Sequence, residues 1–293
     1  MDGETPAVMW LHHVSGSHGR AASILQEFID ATTNEPRFHS LEGYSSYEIS
    51  DHLTNFLRVQ SFVKKYSPDG LYYFCLGVQC YLQAYDRVGN LFFHDTYMDC
   101  RKILNQFALK FITSYHDDPI YIPTCVSEKY LWESDHLSPK WPHTLLWTVV
   151  YFVMKYFKLS TVEEHKALEL KNLFKRETVG RAKGKQSYFF YFLRETGETQ
   201  YCKRQLLPDK NPSRCPVEIM KLYLSKCPPS AKKGSFFYLK PIARADLENQ
   251  PYWFTNEEVP NEDLDEILNR FKMVSEITEL FVKDRITSLI PWY

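Results

Sequence analysis

Lys and Arg crowd into residues 171–240, 16 of them against 5 Asp and Glu, in a chain whose formal net charge is −1. The flanking stretches carry the opposite balance, 14 against 20 over residues 1–170 and 5 against 11 over residues 241–293. Clustered cations hold phosphate or carboxylate oxygens, whether of nucleic acid or of an acidic protein partner. The residues that would do so are Lys171, Lys175, Arg176, Arg181, Lys183, Lys185, Lys203 and Arg204. An acidic C-terminal stretch folded back over a solvated basic face would account for the same charges, and both readings stay open. Other constellations carry less. Glu163-Glu164-His165 lacks partners at helical spacing and reads as a helix start, not a general base or metal ligand set. His12, His13 and His18 sit in a Gly- and Ser-containing stretch that reads as a terminal tail. Cys75, Cys80, Cys100, Cys125, Cys202, Cys215 and Cys227 form no Cys-x-x-Cys pair, so no zinc site is expected. No Gly-rich phosphate loop is present, and no cofactor is expected.

The basic cluster needs a frame. Its neighbour is PHTLLWTVVYFVMKYF, Pro142 to Phe157, apolar on every side except for Lys155 and a few polar atoms. Proline suits a helix's first position, and apolar residues all round a helix mean burial all round. A membrane span needs roughly 20 apolar residues, so the run predicts a central core helix. Residues 167–178 and SYFFYFLRE, separated by the turn-prone VGRAKGKQ, predict a β-hairpin on that helix. Tyr188 to Leu193 is apolar at both strand periods, so both faces of this strand are expected to be covered. The aromatics interleaved with the basic residues are expected to face inward.

The remainder follows from local signals. Ala21 to Ala31 predicts a short helix within an N-terminal tail, residues 1–43. Ser45 or Ser46 caps a helix with Ile49, Leu53, Phe56 and Leu57 at helical spacing. Ser67 and Pro68 open another, whose stripe is Leu71, Phe74, Cys75, Val78 and Leu82, and Asp95 begins a third. Residues 44–117 thus predict an all-α half. Residues 118–124, with two prolines, predict a linker. Beyond it, residues 125–293 predict a mixed half with a small antiparallel sheet. A helix capped by Ser127, a third short strand near Gln200 to Lys203, a helix from Cys215-Pro216 and a strand in FFYLKPI follow in turn. One long helix runs from Glu262 to Asp284. The fold class expected is α+β, mostly helical. The chain begins without the charged start and apolar core of an export signal, and its odd number of scattered cysteines favours a reducing compartment.

YSPDGLYYFCLGVQCYL, EKYLWE, KYFKLSTVEEH, NPSRCPVEIMKLYLSKCP, FFYL and YWF occur in that order. Together they resemble the C-terminal domain shared by MYM-type zinc-finger proteins and the related glutamine-rich transcriptional regulator. That domain is similar to the tyrosine recombinase of Crypton transposons. The resemblance covers residues 44 to 275 and implies a helical core-binding-like half followed by a recombinase-like catalytic half. No run of MYM zinc fingers accompanies it in this sequence.

A recombinase of this kind attacks a phosphodiester with tyrosine. Two arginines, a histidine and a hairpin lysine stabilise the developing charge and supply a proton, each positioned charge contributing about 3 kcal/mol. By the resemblance, the first arginine's place reads Tyr156-Phe157-Lys158-Leu159, where Lys158 lacks the planar fork that grips two phosphate oxygens. The hairpin lysine falls on Lys183 or Lys185. No histidine follows His165, so a His-x-x-Arg motif is absent, and Tyr293 has neither that motif nor a helix around it. The expectation is a truncated, degenerate recombinase-like domain that is not an enzyme. The resemblance implies a nuclear protein that meets protein partners in transcription or chromatin complexes. Of aromatics such as Trp132, Trp147 and Trp253, most are expected in the core and some as exposed interface anchors. Phosphate-directed DNA binding through residues 171–240 is the second function, and no membrane or small-molecule partner is expected.

Overall fold

Serine side chains start the helices of the N-terminal part, as their spacing predicts. In the computed structural model, which describes residues 18–33, 40–87, 89–117, 124–180, 184–194, 201–234, 236–242 and 251–280, Ser45 opens helix α2 (Ser46–Val63) with a reciprocal cap. The Glu48 amide donates to Ser45 Oγ at 3.3 Å and the Ser45 amide to Glu48 Oε2 at 2.7 Å. Ser67 caps α3 (Pro68–Ala84), accepting from the Gly70 amide at 3.2 Å, with Pro68 in the first turn. Helices α1 (His18–Thr32), α4 (Met98–Asp117) and α5 (Glu128–Glu133), the last capped by Ser127, complete the set.

Two units divide the chain. The first holds the described residues up to His136 together with those from Asn269 onward, and the second runs from Leu137 to Leu268. Of the linker expected at 118–124, residues 118–123 lie outside the described residues. The division into units falls at 136/137, and the chain re-enters the first unit within its last long helix.

In the first unit α3 is the central helix. The sequence predicts one apolar stripe, but Tyr72, Leu76, Gly77, Gln79 and Cys80 are buried as well, so α3 is enclosed nearly all round. Gln79 fits this setting because its Oε1 accepts the buried Leu91 amide at 2.6 Å. Helices α1 and α4 pack on α3, and α2 packs on α4. α1, placed within the tail by the sequence reading, contributes Leu25 and Ile29, both fully buried. Each such aliphatic side chain contributes about 1.5–3 kcal/mol. Close approach of α1 and α3 depends on Gly77, where a Cβ would stand 2.8 Å from Ala21 Cβ. Gly77→Val is therefore expected to destabilise the fold by about 1–3 kcal/mol, against the general helix preference for non-glycine residues. Urea unfolding of the variant checks this.

The second unit is built on α6 (Pro142–Phe157), whose residues from Thr144 to Met154 are all buried. The polar atoms inside are satisfied: Thr148 Oγ1 accepts from the Ser138 amide at 2.9 Å and donates to the Thr144 carbonyl at 2.7 Å. The predicted hairpin forms as β1 (Phe174–Gly180) and β2 (Gly184–Arg194), and β3 (Tyr201–Leu206) completes an antiparallel sheet in the order β1-β2-β3. After the short α7 (Val162–Lys166) and before a second, two-stranded sheet of β4 (Leu239–Pro241) and β5 (Phe254–Glu258) comes α8 (Pro216–Lys226). Helix α6 packs against α8, β3 and β4. The mostly helical α+β class expected from the sequence is the class observed.

The long terminal helix is corrected. α9 (Asn261–Phe271) stops, the chain turns, Val274 pairs with Val126 in a parallel bridge, and helix resumes over 275–280. The break is held by side-chain and main-chain bonds. The Ser275 amide donates to the Val126 carbonyl at 2.9 Å, and Thr124 Oγ1 to the Met273 carbonyl at 2.6 Å. These long-range bonds outweigh continuous helix, and nothing local in the sequence signals them.

Candidate nucleic-acid interface

Cross-strand register decides which side chains of the three-stranded sheet share a face. Phe174 pairs with Phe190, Arg176 with Tyr188, Phe190 with Gln205 and Phe192 with Lys203, which sets these residues on one side. Phe189, Tyr191 and Leu206 take the other, where they are buried. The Tyr191 ring lies 6.2 Å from that of Phe157 on α6, and Tyr191 Oη accepts from the Glu169 amide at 3.1 Å.

The first side is not covered as expected. Phe174 is 45% exposed and Phe192 47%, while Tyr188 and Phe190 are half-buried. The rings form a contiguous patch: Phe174 stacks on Phe190 at 5.4 Å between centroids, Phe190 meets Phe192 edge-on at 5.5 Å, and Tyr188 lies 6.0 Å from Phe190. Lys203 Nζ sits 4.6 Å from the Phe190 centroid and 5.4 Å from that of Tyr188, a cation–π arrangement. Arg176, exposed, borders the same rings.

The eight predicted basic residues are therefore divided. Arg176 and Lys203 share the aromatic face. Lys175 and Arg204 point to the opposite side, and Lys175 is paired with Glu177 at 3.1 Å. Lys171 lies in a short turn before the sheet, paired with Glu169 at 3.0 Å. Arg181 and Lys183 lie outside the described residues, and Lys185 is placed in β2 by its backbone alone. The acidic stretch folds back on the basic block in part, since Glu257 of β5 pairs with Lys240 at 3.5 Å.

Of the residues given recombinase roles by the resemblance, Lys158 occupies an ordinary structural position, while Lys183 and the Lys185 side chain lie outside the described part of the chain. Lys158 is the left-handed C-cap of α6 (φ 59°), its amide donating to the Met154 carbonyl at 3.0 Å. His165 is fully buried in α7. Its Nε2 faces the Leu159 carbonyl at 3.2 Å, which can only accept, so Nε2 carries the proton and Nδ1 accepts from the Tyr238 hydroxyl at 2.7 Å. Glu164 completes the Thr161 capping box, in agreement with the reading of this cluster as a helix start. Among the described residues no group of three or more His, Cys, Asp and Glu is placed to hold a metal. The cysteines are free thiols, and burial pushes Cys80 up to about 12, far from the thiolate range in which cysteine reacts.

Two of the three tryptophans follow the core expectation, and none is an exposed anchor. Trp132 and Trp147 are buried in the cores of their units, and the Trp253 ring is capped by Lys226 Nζ at 4.4 Å. Among the described residues the exposed rings are instead Phe174 and Phe192 on the sheet, Trp141, Tyr85, Phe236, and Tyr47 and Phe62 on α2. Sequence reasoning missed the sheet pair because Tyr188 to Phe192 is aromatic at every position. The signal that separates the faces is the identity of the cross-strand partners, and that needs the register.

A family profile described as a domain of unknown function (DUF3504) matches residues 122–273, just over half of the chain, and a QRICH1 domain profile matches residues 24–111. Zinc finger MYM-type protein 3 of Mus musculus is 32% identical over 259 residues, covering 80% of this chain and 18% of the relative. Transcriptional regulator QRICH1 of Mus musculus is 30% identical over 236 residues, covering 76% of this chain and 30% of the relative. Zinc finger MYM-type protein 2 of Homo sapiens is 31% identical over 232 residues, covering 73% and 17%. The chain thus spans less than a third of the length of these relatives. No solved structure matches it significantly. With matched positions extending from the helical core to the sheet and α9, the chain belongs to the DUF3504 domain family.

Proposed function

We propose that the chain is a non-enzymatic nuclear module of transcription regulation that works by contacting protein partners, on a scaffold descended from a recombinase-like domain. The observation that carries this reading is the family match, because relatives sharing about a third of its residues across both profiles include one named as a transcriptional regulator. The placement of Lys158 as a helix cap and the enclosure of His165 support a scaffold whose polar residues serve the fold. An apolar surface suited to a protein partner lies on α2, where Phe62 is 84% exposed, Tyr47 77% and Val63 61%. Beside it a groove of about 330 Å³ is lined by Arg58, Ile103, Phe107 and Lys110 among others. Phe62 and Val63 adjoin at the end of the helix and Tyr47 stands about 22 Å away at its start; large exposed apolar side chains of this kind mark association surfaces. Affinity capture from nuclear extract with the wild type and a Tyr47→Ala/Phe62→Ala variant tests the reading. Specific partners retained by the wild type and lost by the variant are expected; identical partner sets from both would refute this role for α2.

A second reading, phosphate-directed DNA binding, is favoured by Arg176 and Lys203 standing on one exposed face within the basic block. Such binding weakens by about 0.9 log units per phosphate contact for each log unit of salt. A titration of duplex DNA across a salt series, beside an Arg181→Ala/Lys183→Ala/Lys185→Ala variant, is expected to show a steep slope that becomes shallower in the variant. Absence of binding at low salt removes this reading and leaves the first.

A further inference from the structure

We infer that the exposed face of the three-stranded sheet binds single-stranded nucleic acid by stacking bases on Phe174 and Phe192, the two exposed rings, while Arg176 and Lys203 hold the phosphates. This deepens the second reading above and rests on it. Three observations lead to it. The first is exposure: aromatic rings left open to water on a strand face carry a cost that a partner relieves. The second is charge. The residues sharing this face are aromatic, Gln205, Arg176 and Lys203, with no carboxylate among the described residues of the face. That composition matches a partner that is anionic along its backbone and flat in its side groups, and it disfavours an uncharged apolar segment. The third is geometry. Ring centroids are spaced 5.4 Å between Phe174 and Phe190, 5.5 Å between Phe190 and Phe192 and 6.4 Å between Phe174 and Phe192. The Phe174 and Phe192 rings are inclined at 61° and stand 6.4 Å apart, so bases laid on them cannot stack on each other at the 3.4 Å rise of a strand. Duplex bases keep their ring faces inside the stack; only a single strand offers them to a side chain.

Lys203 has a specific place in this arrangement. Its ammonium lies over the Phe190 ring at 4.6 Å, which fixes a cation within the aromatic patch. The sheet register places Lys203 directly across from Phe192, so one cross-strand pair supplies both a stacking surface and a charge.

Fluorescence anisotropy of the full chain with a labelled 15-nucleotide thymidine strand and with a duplex of equal length tests the inference. The expected result is tighter binding of the single strand. A Phe174→Ala/Phe192→Ala variant is expected to lose roughly 30-fold or more in affinity for it with an unchanged salt slope, while Arg176→Ala/Lys203→Ala makes that slope shallower. Both pairs are on the surface, and circular dichroism verifies that the variants fold; Tyr85→Ala, at an exposed ring of the first unit, serves as an unaffected control. Equal affinity for strand and duplex, or wild-type binding by the aromatic variant, overturns the stacking inference and leaves phosphate-directed binding standing. No binding of either probe at low salt overturns both. A shift in oligomeric state of the aromatic variant by sedimentation would assign the face to a second copy of the chain, and would also overturn the inference.

Discussion

Phe157→Ala is expected to cost about 3–5 kcal/mol of stability, whereas Phe192→Ala is expected to change it by no more than about 0.5 kcal/mol. Both are phenylalanines in the second unit, and their rings lie on opposite sides of the same strand. Phe157 closes α6, is fully buried, and packs against Tyr191 on the covered face of β2. Truncation there removes apolar contact and leaves a cavity between helix and sheet that neither can collapse to fill, because α6 is held on its other sides by α8 and β4. Phe192 is 47% exposed, so its removal takes away half-solvated surface and edge contacts with Phe190 and Phe174. Urea unfolding of the two variants compares them directly. Similar losses would mean that the Phe192 face is also core and would refute the division of the sheet into a covered and an open side.

Stability of the first unit is expected to fall by about 1.4 kcal/mol for each pH unit below about 6.5 on account of His136 alone. The imidazole is almost completely buried, with Nε2 2.9 Å from the Tyr72 hydroxyl and the Phe92 ring edge-on at 4.6 Å. Burial first, then the positive charge of buried Arg270, hold its pKa well below the ordinary histidine value. The sign follows from proton counting. The unfolded chain takes up a proton as pH drops below about 6.5, the folded chain does not, and acid therefore favours unfolding until the depressed folded-state value is reached. Above about pH 6.5 the contribution is complete and flat. His136→Gln keeps a polar partner for Tyr72 but cannot titrate. The stability advantage of the wild type over this variant is expected to shrink by about 2 kcal/mol between pH 7 and pH 5. Parallel stability curves for the two proteins would show that His136 titrates alike in both states.

Much of the helical framework was legible beforehand because its signals are local. Ser45 with Glu48, Ser67 with Pro68, and Ser127 each stand within a turn of the amides they cap, and α6 announced itself by apolar residues on every side of its helix. The hairpin was legible from the Gly-containing basic turn between two strand-like runs. The enclosure of α3 was not, since a helix buried all round differs from an amphipathic one through residues such as Gly77 and Gln79, whose partners Ala21 and Leu91 belong to other segments. The interruption of the terminal helix likewise depends on Val126, far away in the chain.

For the candidate site, the sequence by itself determined that basic and aromatic residues alternate through one hairpin and the strand after it. It did not determine which of them meet. Tyr188 through Phe192 offer similar apolar surface on both strand faces, so transfer from water favours neither. The tertiary structure decided between them. Packing of Phe189, Tyr191 and Leu206 against the α6 side buried one face, and strand register then brought Arg176 and Lys203 to the rings left outside. A shift of one residue in that register would exchange the two faces, because side chains in a strand alternate with a period of two.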